Sequence, residues 1–319
     1  MTLNSPPIDH EPTAEFITRC NDITFSWDRG ELPFREAVTR LAICRQEAYA
    51  QNHVPNEAYA EHQLGIMQLY RGNLATSIQH SERSCDLYYQ VGNRARTAVL
   101  NMNLGECYRI IGEFDHALEL YHQAFVIAEA TGNQRTQTMA TCNEGLALLA
   151  LKQPGAALKK LAEGVALAKQ MDPDAPRLAN ILCEAYAAMT TACLQEQDPQ
   201  AAWQWATEAM AVVETHPQPL PRGYANSALG QVLTVLGTSP DPRFVADPDH
   251  YFRAAAEAFR EVAAEAELAR TTFEHALSLL ARGKKTIAAR KLQEVSVTFS
   301  RLGMVGDAAR VAEIQAQQA

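Results

Sequence analysis

Three side-chain amides recur at a fixed interval in this chain: Gln63, Asn103 and Asn143 stand 40 residues apart. Each amide offers both a donor and an acceptor, the two groups needed to hold the alternating C=O and N–H of an extended backbone. The same amides could instead bond neighbouring helices or face water, serving only the fold. On residue type and spacing alone, both readings stand.

Other chemistry finds less support. The sequence contains no H-E-x-x-H, G-x-S-x-G or G-x-G-x-x-G motif. The run "ARGKKT" at 281–286 lacks the earlier glycine of a phosphate loop and follows no strand, so it reads as a turn between helices. His116 and His122 are six residues apart and fall on different faces of one helix. The remaining histidines show no metal-ligand spacing, and the carboxylates are scattered as on solvated faces. The expectation is a protein that is not an enzyme and that needs no cofactor or metal. Trp203 and Trp205 cannot share one helix face, so one is expected in the core and the other exposed or packed under the following insertion.

Composition narrows the partners. With 28 Lys and Arg against 37 Asp and Glu, the formal charge is −9, which argues against nucleic acid, whose binding needs a basic footprint. No apolar run reaches the roughly 18 residues of a membrane span, and no membrane partner is expected. The seven cysteines include no C-x-x-C pair and read as reduced, mostly buried residues of a cytoplasmic protein. The N-terminus has no apolar core of a signal peptide.

The elements that must position the amides follow the same 40-residue interval. Leu64–Gly65 returns as Leu104–Gly105, Gly72 as Gly112, Gly92–Asn93 as Gly132–Asn133, and Ala117 as Ala157. Such self-similarity marks repeat architecture. In the copy near 98–137, Leu104, Tyr108 and Ile111 form one apolar stripe and Ala117, Tyr121, Ala124 and Ala128 another. Gly105, Ala117 and Ala124 are then helix contact points. Helix, turn, helix repeats from about residue 14, with no alternating β-branched run. The expected organisation is a disordered tail over 1–12, a helical repeat domain over 13–303, and a capping helix over 304–319. Insertions near 171–177 and 237–250 break the period. On the capping helix, Ala308, Val311, Ala312 and Ile314 are expected to cover the last repeat, with Asp307 in water.

The order Leu104, Gly105, Tyr108, Ala117, Tyr121, Ala124 resembles the tetratricopeptide repeat. Its 40-residue length is similar to the repeats of kinesin light chains and of the C-terminal regions of bacterial signal-transduction ATPases and cyclase-linked regulators. The resemblance implies an all-α, right-handed superhelical solenoid of about seven antiparallel helix pairs. It also implies that Gln63, Asn103 and Asn143 face a concave groove, exposed, where such amides hold ligand main chain. Tyr59, Ile66, Tyr70, Met102, Glu106, Arg109, Met139 and Leu146 are expected to share that surface. Of Arg71, Arg94, Arg109 and Arg135, which could favour an acidic ligand, most are expected in turns. The function implied is a non-catalytic scaffold or adaptor for a protein or extended peptide. The alternative is a regulatory sensor whose peptide or protein ligand controls a separate ATPase, cyclase or transcription factor.

Overall fold

A computed structural model describes residues 10–318, and every described element is an α-helix. The helices are α1 (Ala14–Asp28), α2 (Phe34–Ala50), α3 (Val54–Arg71), α4 (Leu74–Gln90), α5 (Arg94–Ile111), α6 (Phe114–Thr131), α7 (Gln134–Ala150) and α8 (Pro154–Ala168). They continue with α9 (Leu178–Gln195), α10 (Pro199–Thr215), α11 (Pro219–Leu236), α12 (Pro248–Glu261), α13 (Glu265–Ala281), α14 (Lys285–Leu302) and α15 (Val305–Gln318). Consecutive helices pair into seven hairpins, and α15 packs on α14.

Local chemistry sets the helix ends. Asn93 and Asn133, equivalent positions one period apart, cap α5 and α7 by accepting from the N–H of Arg96 at 3.2 Å and of Thr136 at 3.1 Å. Gly112 ends α5 at φ 100°, a left-handed conformation open to glycine at little cost. Proline opens α8, α10, α11 and α12 at the first helical position, where its missing N–H has no intrahelical partner to lose.

The hairpins join where side chains are small. Gly105, Ala117 and Ala124 are buried, and Tyr121 fills the space beside them. The stripe of Leu104, Tyr108 and Ile111 is only half-buried. The inward faces of α5 carry Leu100, Met102, Gly105, Cys107 and Ile110 instead, because a helix between two neighbours buries more than one stripe. Both tryptophans are packed: Trp203 meets Phe244 of the 237–250 insertion edge-on at 5.5 Å, and Trp205 stacks on Tyr186 at 5.8 Å. The outer one is therefore covered by the insertion rather than exposed.

The superhelix returns on itself. Helix α13 touches α3, and α15 touches α5. Glu265 at the start of α13 accepts from Arg71 and from Arg301, each at 2.6 Å. Leu302 lies over Gly72, 3.0 Å from where a Cβ would be. Helix α1 is tied to the far side: the Trp27 indole donates to the Val262 carbonyl at 2.7 Å, and the Asn180 amide donates to Asp28 at 3.1 Å.

Two expectations about the ends change. Residues 1–9 of the expected tail lie outside the described residues. Residues 10–12 are held in place, His10 against the Val91 carbonyl and Glu11 on Asn93 and Arg96. On α15, Val311 is buried, Ala308 and Ile314 pack on the core, and Ala312 is exposed. Asp307 is not in water: Arg270 donates to it at 3.3 Å.

Candidate functional site

Inside the ring lies a cavity of about 290 Å³. Its walls come from the first helix of each hairpin: Asn21 of α1, Tyr59 of α3, Asn103 of α5, Asn143 of α7, Glu184 of α9, Tyr224 of α11 and Glu267 of α13 all line it. This follows from repeat geometry, since the first helices stack side by side along the concave face.

The amide ladder sits on this wall. Gln63, Asn103 and Asn143 all line the cavity. The expected exposure is corrected for two of them: Gln63 is 6% exposed and Asn103 8%, while Asn143 is half-buried, because residues of α1, α9, α11 and α13 line the same cavity. Among the described residues, no hydrogen bond joins Gln63, Asn103 or Asn143 to another helix. The Asn103 Nδ2 group is buried without a hydrogen-bond partner among the described residues. A buried donor left unpaired costs about 1–3 kcal/mol.

Of the other residues expected here, Tyr59, Ile66, Tyr70, Met102, Glu106 and Met139 line the cavity. Arg109 and Leu146 do not. Arg109 turns along its own helix to Glu106, its Nε donating to Oε2 at 2.7 Å, and the Tyr121 hydroxyl donates to the same carboxylate at 3.1 Å. Leu146 packs into the hydrophobic core instead. Among the four arginines weighed for an acidic ligand, Arg135 alone lines the cavity; Arg71 pairs with Glu265, Arg109 with Glu106, and Arg94 is exposed.

Helical periodicity also marks residues absent from that expectation. Val99, like the expected Tyr59 and Met139, stands one turn before its ladder amide, and Glu184 and Tyr224 stand four residues before Ala188 and Ala228, where the ladder loses its amides. All five line the cavity. Arg96 and Thr136, seven residues before Asn103 and Asn143, do so too. Arg177 carries no such signal, since it ends the insertion that breaks the period.

The cavity is electrostatically divided. Arg96, Arg135 and Arg177 meet around His62, and burial followed by these three charges lowers the imidazole to about 3; His62 is neutral at pH 7. Burial and the neighbouring Glu267 and Glu106 raise the Glu184 carboxyl to about 8. Tyr59 donates to Asn21 at 2.6 Å, tying α3 to α1 at the rim of the site.

No protein-family profile and no curated protein matches the chain. Solved structures do match. A Rap protein complexed with the Competence and Sporulation Factor aligns over 97% of this chain and 90% of its own, at 15% identity and a TM-score of 0.64. This chain has the helical-repeat fold of the Rap proteins. The Rap conjugation gene regulator of plasmid pLS20, in complex with the Phr* peptide, aligns over 92% of this chain and 75% of its own, at 12% identity and a TM-score of 0.69. The apo form of the quorum sensor NprR from B. thuringiensis aligns over 94% and 85%, at 11% identity and a TM-score of 0.54. Identities this low establish the tetratricopeptide-type superhelix and leave the ligand to be argued from the cavity.

Proposed function

We propose that this protein binds a short extended peptide inside its superhelix, through main-chain hydrogen bonds to Gln63, Asn103 and Asn143. The unpartnered Asn103 amide in the cavity wall carries this reading. Apolar side chains between the amides, Ile66, Met102 and Met139, supply pockets for alternate ligand side chains while the amides fix register. Two of the structural neighbours were solved as complexes, a Rap protein with the Competence and Sporulation Factor and the pLS20 regulator with the Phr* peptide, which supports the same use here.

A sensor role is favoured over a passive scaffold by the origin of the walls. One ligand touches helices from both ends of the chain, α1 and α3 on one side and α11 and α13 on the other. It therefore bears directly on the closure that Glu265 makes with Arg71 and Arg301. A ligand with different contacts in the closed and opened superhelix shifts that equilibrium, and a partner on the outer surface can read it.

The test is affinity selection. A library of random hexapeptides is incubated with the protein, bound material is separated by gel filtration, and retained sequences are read by mass spectrometry. A retained set that is lost with the Asn103→Ala, Asn143→Ala double variant is expected. Retention of nothing, or equal retention by the double variant, would overturn the reading.

A further inference from the structure

The cavity's charged groups are unevenly compensated. On the acidic wall, Glu106 is held by Arg109, Glu267 accepts from Arg270 at 2.9 Å, and Glu184 is protonated near neutrality. Among the arginines, Arg96 pairs with Glu11 at 3.0 Å and lies over the Tyr59 ring at 5.3 Å. Arg135 and Arg177 have no carboxylate partner of this kind among the described residues. Neither makes a hydrogen bond or ion pair among the described residues, and the Arg177 Nε and Nη2 groups are buried without a partner. Arg177 lies over two ring faces, Phe25 at 5.9 Å and Tyr70 at 6.0 Å.

The carboxylate whose field reaches Arg135, Asp28, is already occupied by the Asn180 amide at 3.1 and 3.3 Å. Arg177 sits at φ 64° at the end of the 171–177 insertion. An unpaired buried guanidinium is costly, and the fork of N–H donors it presents matches a carboxylate.

We propose that Arg177 and Arg135 form an anion subsite that takes a carboxylate of the ligand. This deepens, and rests on, the peptide-binding reading. The carboxylate comes either from the peptide's C-terminus or from an aspartate or glutamate side chain. The arginine pair sits beside the ladder's Asn143 end, since Arg135 lies on α7 and Arg177 precedes α9. The amides fix the main chain, and the arginines fix where along it the negative charge falls.

Two random hexapeptide libraries test this, one with a free C-terminal carboxylate and one C-terminally amidated. Retention from the free library alone assigns the terminal carboxylate. Retention from both, with every retained amidated peptide carrying Asp or Glu, assigns the side chain. Retention of amidated peptides without any carboxylate overturns the anion subsite and leaves peptide binding standing. No retention from either library overturns both.

For a retained peptide, Arg177→Gln is expected to weaken binding roughly 10- to 100-fold, the scale of a charge-assisted hydrogen bond, with a melting temperature that does not fall. Arg135→Gln gives the second readout should the first variant not fold. Affinity unchanged in the variant that folds overturns the proposal.

Discussion

The ring of Tyr121 occupies the space that any side chain at Gly105 would need: a methyl added there would stand 2.6 Å from Tyr121 Cε1 and 3.2 Å from the Ala117 carbonyl oxygen. Helices α5 and α6 approach this closely only because position 105 has no Cβ. Overpacking of this kind costs about 1–3 kcal/mol. Gly105→Ala is therefore expected to lower the urea midpoint and to cost hydrogen-exchange protection first in α5 and α6, because each repeat rests chiefly on its neighbours. Unchanged protection across α5 and α6 would remove Gly105 from the helix contact.

The 40-residue interval made much of this legible. Leu64–Gly65, Leu104–Gly105 and Gly145 mark hairpins, and the amides placed a surface along α3, α5 and α7. What the interval could not show was closure. The contacts of Glu265 with Arg71, and of Trp27 with Val262, join residues far apart in sequence and leave no periodic trace. Roofing of the groove, burial of Gln63 and Asn103, and the part played by α1 all follow from those contacts. Arg177 was hidden for a related reason, since an insertion has no equivalent position to be compared with. Arg109 and Leu146 were misplaced because a helix flanked on both sides turns part of its groove-side register into the core.

Glu265 adds an ion-pair contact to the closure of the ring, beside the packing of Leu302 over Gly72 and the apolar cluster that joins Leu74 and Ile110 to α13–α15. Its side chain is 21% exposed, and its partners Arg71 and Arg301 are 32% and 57% exposed. Partly exposed pairs contribute about 0–1 kcal/mol, so Glu265→Gln is expected to leave global stability nearly unchanged. Amide exchange in α3 and at the start of α13 should nonetheless accelerate, since the two ends of the superhelix would part more often. Exchange unaltered in both helices would show that Glu265 does not hold the ring.

Acid should loosen the sixth and seventh hairpins. Burial alone would raise Asp249, but hydrogen bonds from Arg282, Lys284 and His275 outweigh it and hold the carboxyl below its usual 3.8. A depressed carboxylate stabilises fully above its unfolded value, and the contribution is lost as pH falls through the folded one. His275 acts in the same direction: burial lowers it below 6.5, so the folded state resists its protonation. Melting temperature should fall from about pH 6 downward, and Asp249→Asn should flatten the part of that limb below about pH 4. A variant with the acid limb of the parent would contradict this.

Glu184 carries the opposite sign. With its folded carboxyl raised to about 8 from 4.5, the unfolded chain ionises first as pH rises, and stability is lost between those values. Glu184→Gln is expected to raise the melting temperature at pH 8 and to leave it unchanged below pH 4. Equal melting of variant and parent at pH 8 would show that the carboxyl bears no such cost.

If the ladder amides hold ligand main chain rather than the fold, their removal will show in affinity and not in stability. The direct measurement is isothermal titration of a library-selected hexapeptide into the parent protein and into Asn103→Ala, with thermal melts of both. A hydrogen bond contributes about 0.5–1.5 kcal/mol net, so binding should weaken roughly 2- to 13-fold. The melting temperature should hold or rise, since the variant removes a buried donor without a partner. Unchanged affinity together with a lowered melting temperature would contradict the account and assign Asn103 to the fold.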